Sequence, residues 1–559
     1  MLYDVVIIGA GPCGLAVASR LRESTPAALF TDDEHERYWK RFNISGTIET
    51  EKKTARKGRG RSISGSSAQC KRSCVVLDAS GCEWMAAWRT RFRNLKIDYL
   101  RSPLFFHPDP RDRDGLLAFA HFMDRSGELE EIHHVVGKEI SKHRAKKQRQ
   151  KRKVSRHLRI DDHDRIDYYT PSSRLFDDYC DDIVKRYQLQ HLVHHAQVMD
   201  ITYGDVGDLS NNDIFSITTN RGLYMAKTVV LAVGPGAKPC IPPDCGLLQN
   251  QEGSLCHCFD ANGGTHIPDH VKRRISAGLP THVVVVGGGL TSAQISDLLL
   301  RYGVSKIWLL LRGKYKLKHF DVDLEWVSKV RNQQMAVFWS ADTDEERFEL
   351  LKEARNGGSI TPKFDKILQQ HVSRKRLETL PYTQIDNGTW NRSNQTWSIK
   401  LSRDVPEFPR HIDHIIYATG VPPKVENVGC LQQLLEEHPI ETISGLAKIT
   451  DDLMWNAEVP LFLTGGLAGL RLGPGAANLA GARQGAERIA WKIDELLGTA
   501  SSNEDIRAKG ECHGKCEDSS VTRRGNLRLR DERLAQLENR SEFTGGFANQ
   551  FEVLALHHD

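Results

Sequence analysis

Residues 3–14 read YDVVIIGAGPCG, and this stretch decides the fold. A continuous apolar run that ends at a glycine is typical of a strand buried on both faces of a parallel sheet. In the G-x-G-x-x-G turn that follows, Gly9 permits the tight turn, Gly11 lets a pyrophosphate approach the backbone, and Gly14 lets the next helix pack closely. That helix, predicted from Leu15, offers unpaired N–H groups to a phosphate. The stretch therefore predicts the start of a dinucleotide-binding unit.

A second strand and an acidic residue follow in the sequence. Residues 28–31 (ALFT) are predicted to form this strand. An acid at its end, about 20 residues beyond the glycines, would bind the ribose of the nucleotide. Asp32 is eighteen residues after Gly14 and takes this role in our prediction, with Asp33 and Glu34 as near alternatives.

The same pattern returns in residues 283–292, VVVVGGGLTS. Gly287 and Gly289 fill the first two glycine roles, while Ser292 replaces the third, so we expect this helix and strand to lie slightly further apart. The next strand is followed by Arg312 instead of an acid. Because an arginine here suits a 2′-phosphate, this second unit is predicted to prefer NADP over NAD.

Further segments carry a family resemblance. Residues 229–239 (VVLAVGPGAKP) and 415–423 (IIYATGVPP) are strands that end in small-residue turns, and residues 461–490 resemble a closing, flavin-contacting segment. With the two glycine turns, they resemble the two-domain FAD and NAD(P) flavoproteins. Residues 99–121 and 168–180 are more narrowly similar to flavin-dependent monooxygenases, namely the lysine and ornithine N-hydroxylases and the oxidative-stress-induced growth inhibitor family.

This resemblance implies two cofactors, FAD and NADPH, and a set of residues for each. The FAD pyrophosphate would lie at Gly11 and Gly14 with its ribose at Asp32, and the closing segment would bring Gly465 and Asn478 to the flavin. The NADPH would lie along the second turn, at Gly287, Gly289, Ser292 and Arg312. Disulfide reductases of this type usually carry an Asp just after the closing glycine, where this chain has Gly466.

The fold class we predict is α/β, with two Rossmann-like dinucleotide-binding domains and the NADP domain inserted in the FAD domain. The predicted boundaries are 1–270 for the first part of the FAD domain, 271–405 for the NADP domain, 406–497 for the returning FAD segment, and 498–559 for a polar C-terminal tail.

The composition excludes several classes of protein. Hydrophobic residues make up 39% and charged residues 27% of the 559 residues, and no apolar run approaches the roughly 20 residues of a membrane span. Twelve scattered cysteines argue against a disulfide scaffold, and no signal peptide is recognised, so we expect a cytoplasmic protein. No metal site is predicted, since the cysteines at 512 and 516 lack a second pair.

The net charge of +5 is unevenly distributed. Two basic insertions are predicted, near residues 43–70 and at 138–156; the latter carries ten basic residues and one acidic one. The second run lacks the interleaved aromatic residues that would stack on bases, so a nucleic-acid partner is not favoured. A solvated insertion is the simplest interpretation, and recognition by an import receptor, with a nuclear location, is the alternative.

The implied activity is an NADPH-dependent FAD monooxygenase that uses O2 and a small-molecule substrate. An NADPH oxidase or reductase, and a non-catalytic redox-sensing flavoprotein with a regulatory partner, stay open as alternatives. Arg101 and His107 flank the loop that would cover the flavin and are the only catalytic candidates; ordinary solvated loop residues are an equally good interpretation. Cys256 and Cys258 are too close in sequence to favour a disulfide reductase.

Overall fold

The computed structural model describes residues 1–23, 72–111, 113–135, 167–205, 213–234, 241, 254–260, 267–328 and 330–508. The predicted strand at 28–31, with Asp32, and both basic insertions lie outside the described residues. So does the tail beyond residue 508. No helix in the described ranges is long and apolar enough to cross a membrane.

The strands of the described chain form two larger sheets and three two-stranded antiparallel sheets. In chain order they are β1 (Leu2–Ile8), β2 (Cys74–Asp78), β3 (Leu129–Glu131), β4 (Tyr169–Pro171), β5 (Val193–His195), β6 (Val198–Gly204), β7 (Ile214–Thr219), β8 (Gly222–Leu231), β9 (Leu255–His257), β10 (His282–Val286), β11 (Lys306–Leu311), β12 (Leu377–Pro381), β13 (Ile385–Asn391), β14 (Thr396–Leu401), β15 (His414–Tyr417), β16 (Thr442–Ile443), β17 (Leu446–Ala447) and β18 (Leu461–Leu463).

The α-helices lie between these strands, as expected for an α/β protein. In chain order they are α1 (Pro12–Arg20), α2 (Ala86–Leu95), α3 (Gly115–Phe122), α4 (Ser173–Arg186), α5 (Asp269–Ser276), α6 (Leu290–Arg301), α7 (Arg331–Trp339), α8 (Asp344–Arg355), α9 (Pro362–Ser373), α10 (Gln432–Glu437), α11 (Gly469–Leu472) and α12 (Leu479–Ala508).

The first sheet has the order β5-β2-β1-β8-β7-β6, and β18 pairs with the far end of β8. The strands β5, β2, β1, β8 and β18 run parallel, whereas β6, β7 and β8 form an antiparallel meander. The centre of this sheet is fully apolar: Val5, Val6 and Ile7 of β1 have no exposed surface. The predicted buried parallel strand at 3–9 is therefore confirmed.

The described strands beside β1 are β2 on one side and β8 on the other. The strands β1 and β2 pair in parallel from Val5 with Cys74 to Ile8 with Leu77. The sequence SCVVLDA supplies the apolar run of β2. Residues 21–73 separate α1 from β2, and the predicted strand at 28–31 lies in the part of this connection outside the described residues.

The second sheet has the order β12-β11-β10-β15-β9, with all neighbours parallel. It takes in β9 before residue 271 and β15 after residue 405, so it extends past both predicted boundaries of the NADP domain. Both strands are short, and β9 has only three residues, too few to show a strand pattern in the sequence. The hairpin of β13 and β14 precedes β15 and covers one face of this sheet through Trp397.

The chain returns to the first sheet through β18 and ends the described part with α12. This helix packs along α1, where the Arg20 guanidinium donates to both carboxylate oxygens of Glu487, at 2.6 and 2.9 Å. It continues through Ala508, past the residue 498 at which the polar tail is predicted to begin. The first and last described elements therefore belong to one structural unit, with the second sheet placed between them in sequence.

Candidate functional site

The first glycine turn joins β1 to α1 and is tightly enclosed. Gly9 has a φ of +110°, and a Cβ there would lie 2.4 Å from the carbonyl oxygen of Ala232 at the end of β8. A Cβ at Gly14 would lie 2.0 Å from the carbonyl oxygen of Gly9, so α1 approaches the turn at a distance that only glycine allows. Gly11 is the N-cap of α1, and a Cβ there would meet no described atom within 4 Å. This open space before the helix N-terminus fits a pyrophosphate.

An acidic side chain lies directly at this turn. The Asp78 Oδ2 atom accepts the Ala10 N–H at 2.7 Å, and its Oδ1 atom accepts the Ser80 N–H at 2.7 Å. The Met85 N–H donates to the Ala10 carbonyl at 2.8 Å, so the turn is held from both sides. Asp78 ends the strand next to β1, which is the position of the ribose-binding acid in dinucleotide folds.

The second glycine turn, between β10 and α6, repeats this geometry. Gly287 has a φ of +151°, and a Cβ there would lie 2.4 Å from the carbonyl oxygen of Ala418. Gly289 is the N-cap of α6. Ser292, in place of the third glycine, is buried, and its Oγ donates to the Gly289 carbonyl at 2.7 Å. The hydroxyl is thus satisfied within the turn.

A loop that the sequence did not single out lies on this second turn. A Cβ at Gly358 would be 2.8 Å from the amide nitrogen of Gly289 and 2.9 Å from the carbonyl carbon of Gly288. The loop is therefore in direct backbone contact with the turn. Its next residue, Ser359, is buried.

Arg312 lies at the carboxyl edge of the second sheet, as predicted. It directly follows β11, and the Gly287 N–H donates to the carbonyl of Leu310 at 2.9 Å. The Arg312 side chain is exposed, in contrast to the buried Leu311 before it. A cation at this place can reach the adenosine end of a nucleotide bound at the second turn.

The returning segment after β18 contacts both α1 and the loop that contains Asp321. Gly465 has a φ of +67°, and a Cβ there would be 3.4 Å from the Cys13 Sγ in α1, so this segment touches the first turn. The Asn478 side-chain amide donates to Asp321 Oδ1 at 2.9 Å. The other oxygen of Asp321 pairs with the Arg355 guanidinium at 3.0 Å.

Arg101 extends from the loop after α2 toward the second sheet, and its acceptors in the described part of the chain belong to that unit. Its guanidinium donates to the carbonyls of Lys318, His319, Phe320 and Ser359 and to the Ser359 hydroxyl. Burial lowers the pKa of Arg101 to about 10, against the opposing effect of Asp321.

His107 is fully buried and holds its own loop. Its Nδ1 accepts the Asp109 N–H at 3.2 Å, so the proton is on Nε2, which donates to the Arg113 carbonyl at 2.8 Å. Burial, together with the nearby Arg483, lowers the pKa of His107 to about 4, so the ring is neutral at pH 7. Both nitrogens are engaged with the backbone, which is the arrangement of a residue that positions a loop.

The described cysteines are all free thiols. Cys256 is in β9, with Sγ 3.5 Å from His414 Nε2, and Cys258 follows the strand. Burial raises the pKa of each to about 12. Since the thiolate is the reactive form, these two thiols are poorly suited to disulfide exchange at pH 7.

Three residues of the site were missed from the sequence. Asp78 carried a usable signal, since it ends the apolar run CVVLD. Gly358 and Asp321 carried none, because their importance rests on contacts with residues distant in the chain.

Two sheets, each with a glycine turn between a parallel strand and a helix at its carboxyl edge, define a protein with two dinucleotide-binding folds. The chain belongs to the pyridine nucleotide-disulphide oxidoreductase family, whose model matches residues 3–432. A curated relative, an uncharacterized CzcO-like oxidoreductase of Geobacillus kaustophilus (strain HTA426), is 25% identical over 263 residues. The match covers 42% of this chain and 63% of the relative, less than two thirds of its length.

Solved structures of the same fold include amine hydroxylases. The ornithine N-hydroxylase of Kutzneria sp. 744, in a structure with reduced FAD, NADP⁺ and L-ornithine, has a TM-score of 0.56 at 14% identity and covers 89% of this chain and 100% of its own. The L-lysine 6-monooxygenase of Pseudomonas syringae has a TM-score of 0.52 at 16% identity, over 88% of this chain and 99% of its own. The expected α/β fold class is confirmed.

Proposed function

We propose that this protein is an NADPH-dependent FAD monooxygenase that acts on a small molecule with O2. The observation that carries the proposal is the pair of enclosed glycine turns, each before a helix N-terminus. The returning segment contacts the first turn through Gly465 and Cys13, and one nucleotide at each turn would bring two redox rings together. The fold is that of the ornithine and lysine hydroxylases, one of which was solved with FAD and NADP⁺.

The residues at the first turn fit FAD. Gly11 leaves open the space that the pyrophosphate would fill, and Asp78 offers acceptor oxygens for the ribose hydroxyls. Gly465 and Asn478 lie on the returning segment, where the flavin end of the cofactor would be held. Asp32, which the sequence suggested for the ribose, stays a prediction because it lies outside the described residues.

The residues at the second turn fit NADPH. Gly287 and Gly289 form the turn, Ser292 lies in the first turn of α6 with its hydroxyl bonded to the Gly289 carbonyl, and Arg312 would provide a cation for the 2′-phosphate. A guanidinium suits this role because its planar donors match the geometry of a phosphate.

When bound, the two cofactors would supply the redox chemistry: hydride transfer from NADPH to FAD and reaction of the reduced flavin with O2. The protein's own residues bind, orient and exclude water. We assign Arg101 and His107 to positioning, since both side chains donate to backbone carbonyls of the loops they hold. Disulfide exchange is not part of this proposal, because Cys258 is buried, Cys256 is partly buried, and burial raises the pKa of both thiols.

The experiment that tests the proposal mixes the NADPH-reduced enzyme with O2 and follows the flavin absorbance together with released hydrogen peroxide. A monooxygenase is expected to show a delayed, spectrally distinct oxygen-dependent phase, and its peroxide yield should fall when a substrate from an amine and ketone panel is added. Immediate stoichiometric peroxide release with every compound would indicate the oxidase instead. A flavin that NADPH never reduces would favour the redox-sensing alternative.

A further inference from the structure

The Arg101 side chain joins two loops of the second unit through one planar group. Its Nε donates to the His319 carbonyl at 3.1 Å, and its Nη2 donates to the Lys318 carbonyl at 3.0 Å and the Phe320 carbonyl at 2.5 Å. The same Nη2 donates to Ser359 Oγ at 2.9 Å, while Nη1 reaches the Ser359 carbonyl at 3.4 Å. Arg101 itself belongs to a loop of the first unit.

Each of these loops continues into one half of the proposed cofactor site. Ser359 follows Gly358, whose Cα lies against the Gly288–Gly289 turn. Phe320 precedes Asp321, which accepts the side-chain amide of Asn478 at 2.9 Å. Arg101 thus fixes the separation between the loop on the second glycine turn and the loop that holds Asn478.

Two charged side chains also act on the Arg101 guanidinium. Asp321 attracts the guanidinium and Arg355 repels it, and Arg355 is itself anchored by Asp321 and by the Pro474 carbonyl at 3.0 Å. Among the described residues, the hydrogen-bond acceptors of Arg101 are carbonyls and a hydroxyl, which demand direction as well as charge. A lysine in this place would keep the charge but lose the planar fork.

We propose that Arg101 is a positioning residue for hydride transfer, which sets the second glycine turn, and with it the nicotinamide, against the flavin held near Asn478. This inference rests on the proposed function. A displacement of about 1 Å between reacting groups lowers a rate by about 100-fold, so loss of this bridge is expected to act on the transfer step.

The test is anaerobic stopped-flow reduction of FAD-loaded enzyme by NADPH in the variants Arg101→Lys and Arg101→Ala. We expect bound FAD and its reduction by dithionite to be unchanged, and the limiting rate of reduction by NADPH to fall roughly 100-fold. The NADPH dissociation constant should change less than about threefold, and guanidinium chloride at millimolar concentration should restore part of the rate in Arg101→Ala. Arg93→Ala, an exposed arginine of α2, is the matched control and should reduce normally.

Three results would overturn the inference. One is a normal limiting rate in both Arg101 variants, and another is a change confined to NADPH affinity. The third is loss of bound FAD in both variants, which would mean that Arg101 holds the flavin site itself. A wild-type flavin that NADPH fails to reduce would instead refute the proposed function, so the two failures are distinguishable.

Discussion

Asp78 shows what a single side chain contributes to the first turn. Its two oxygens accept the N–H groups of Ala10 and Ser80, and they lie at the end of the strand beside β1. The sequence pointed to Asp32 because a ribose-binding acid usually follows the glycines by about 20 residues. Asp78 ends a strand that follows the connection of residues 21–73, whereas Asp32 lies outside the described residues and stays a prediction.

Substituting Asp78 is expected to weaken FAD binding more than substituting Asp32. Asp78→Ala removes acceptors for both the turn and the ribose, and a charged hydrogen bond contributes roughly 1.5–3 kcal/mol, or about 10- to 100-fold in affinity. Titration of the apoprotein with FAD, followed by flavin fluorescence, measures the effect. Weakened FAD binding in Asp32→Ala with normal FAD binding in Asp78→Ala would instead assign the ribose to Asp32, as the sequence predicted.

Arg312 is expected to determine the preference between coenzymes. Arg312→Ala should raise the KM for NADPH roughly 10- to 100-fold and leave the KM for NADH nearly unchanged, because only NADPH carries the 2′-phosphate. Steady-state oxidation of the two coenzymes gives the ratio, with Lys400→Ala, an exposed cation of β14 in the same unit, as the control. An unaltered ratio in Arg312→Ala would remove this residue from the site.

At the scale of elements, the strands whose apolar runs end near glycines or small-residue turns could be predicted. β1, β10 and β11 are continuous aliphatic segments, and each lies where the sequence indicated, as does the four-residue strand β15. β9 has three residues, and only its pairing with β15 in the folded sheet makes it a strand. Strand order depends on such distant pairings, which a local pattern does not contain.

The loop on the second turn offers a test at this scale. Gly358→Ala would place a Cβ 2.8 Å from the amide nitrogen of Gly289, so backbone on one side must shift. Since such overpacking costs about 1–3 kcal/mol, we expect NADPH to bind roughly tenfold more weakly while FAD stays bound. Equilibrium dialysis with NADP⁺ provides the measurement.

The matched control for this substitution is Gly429→Ala. A Cβ there would meet no described atom within 4 Å, so the added methyl should change the binding of neither cofactor. Equal NADP⁺ affinity in both variants would show that the loop does not support the turn.

The described part of the molecule consists of two nucleotide-binding units. The second unit lies within the sequence of the first, since β18 and α12 return to the first sheet after the second sheet is complete. The two glycine motifs predicted this plan because each couples a strand, a turn and a helix within a few residues. The contacts between the units could not be predicted, since Arg101, Asp321 and Asn478 come from three distant segments. The interpretation of the basic run at 138–156 as an import signal stays a prediction.

The central claim is that FAD and NADPH bind at the two glycine turns and exchange a hydride. The most direct measurement is the visible spectrum of the purified protein before and after anaerobic addition of NADPH. We predict a bound flavin spectrum that NADPH bleaches, and we expect faster bleaching by NADPH than by NADH. A protein without flavin after incubation with FAD, or a bound flavin that NADPH leaves oxidised, would contradict it.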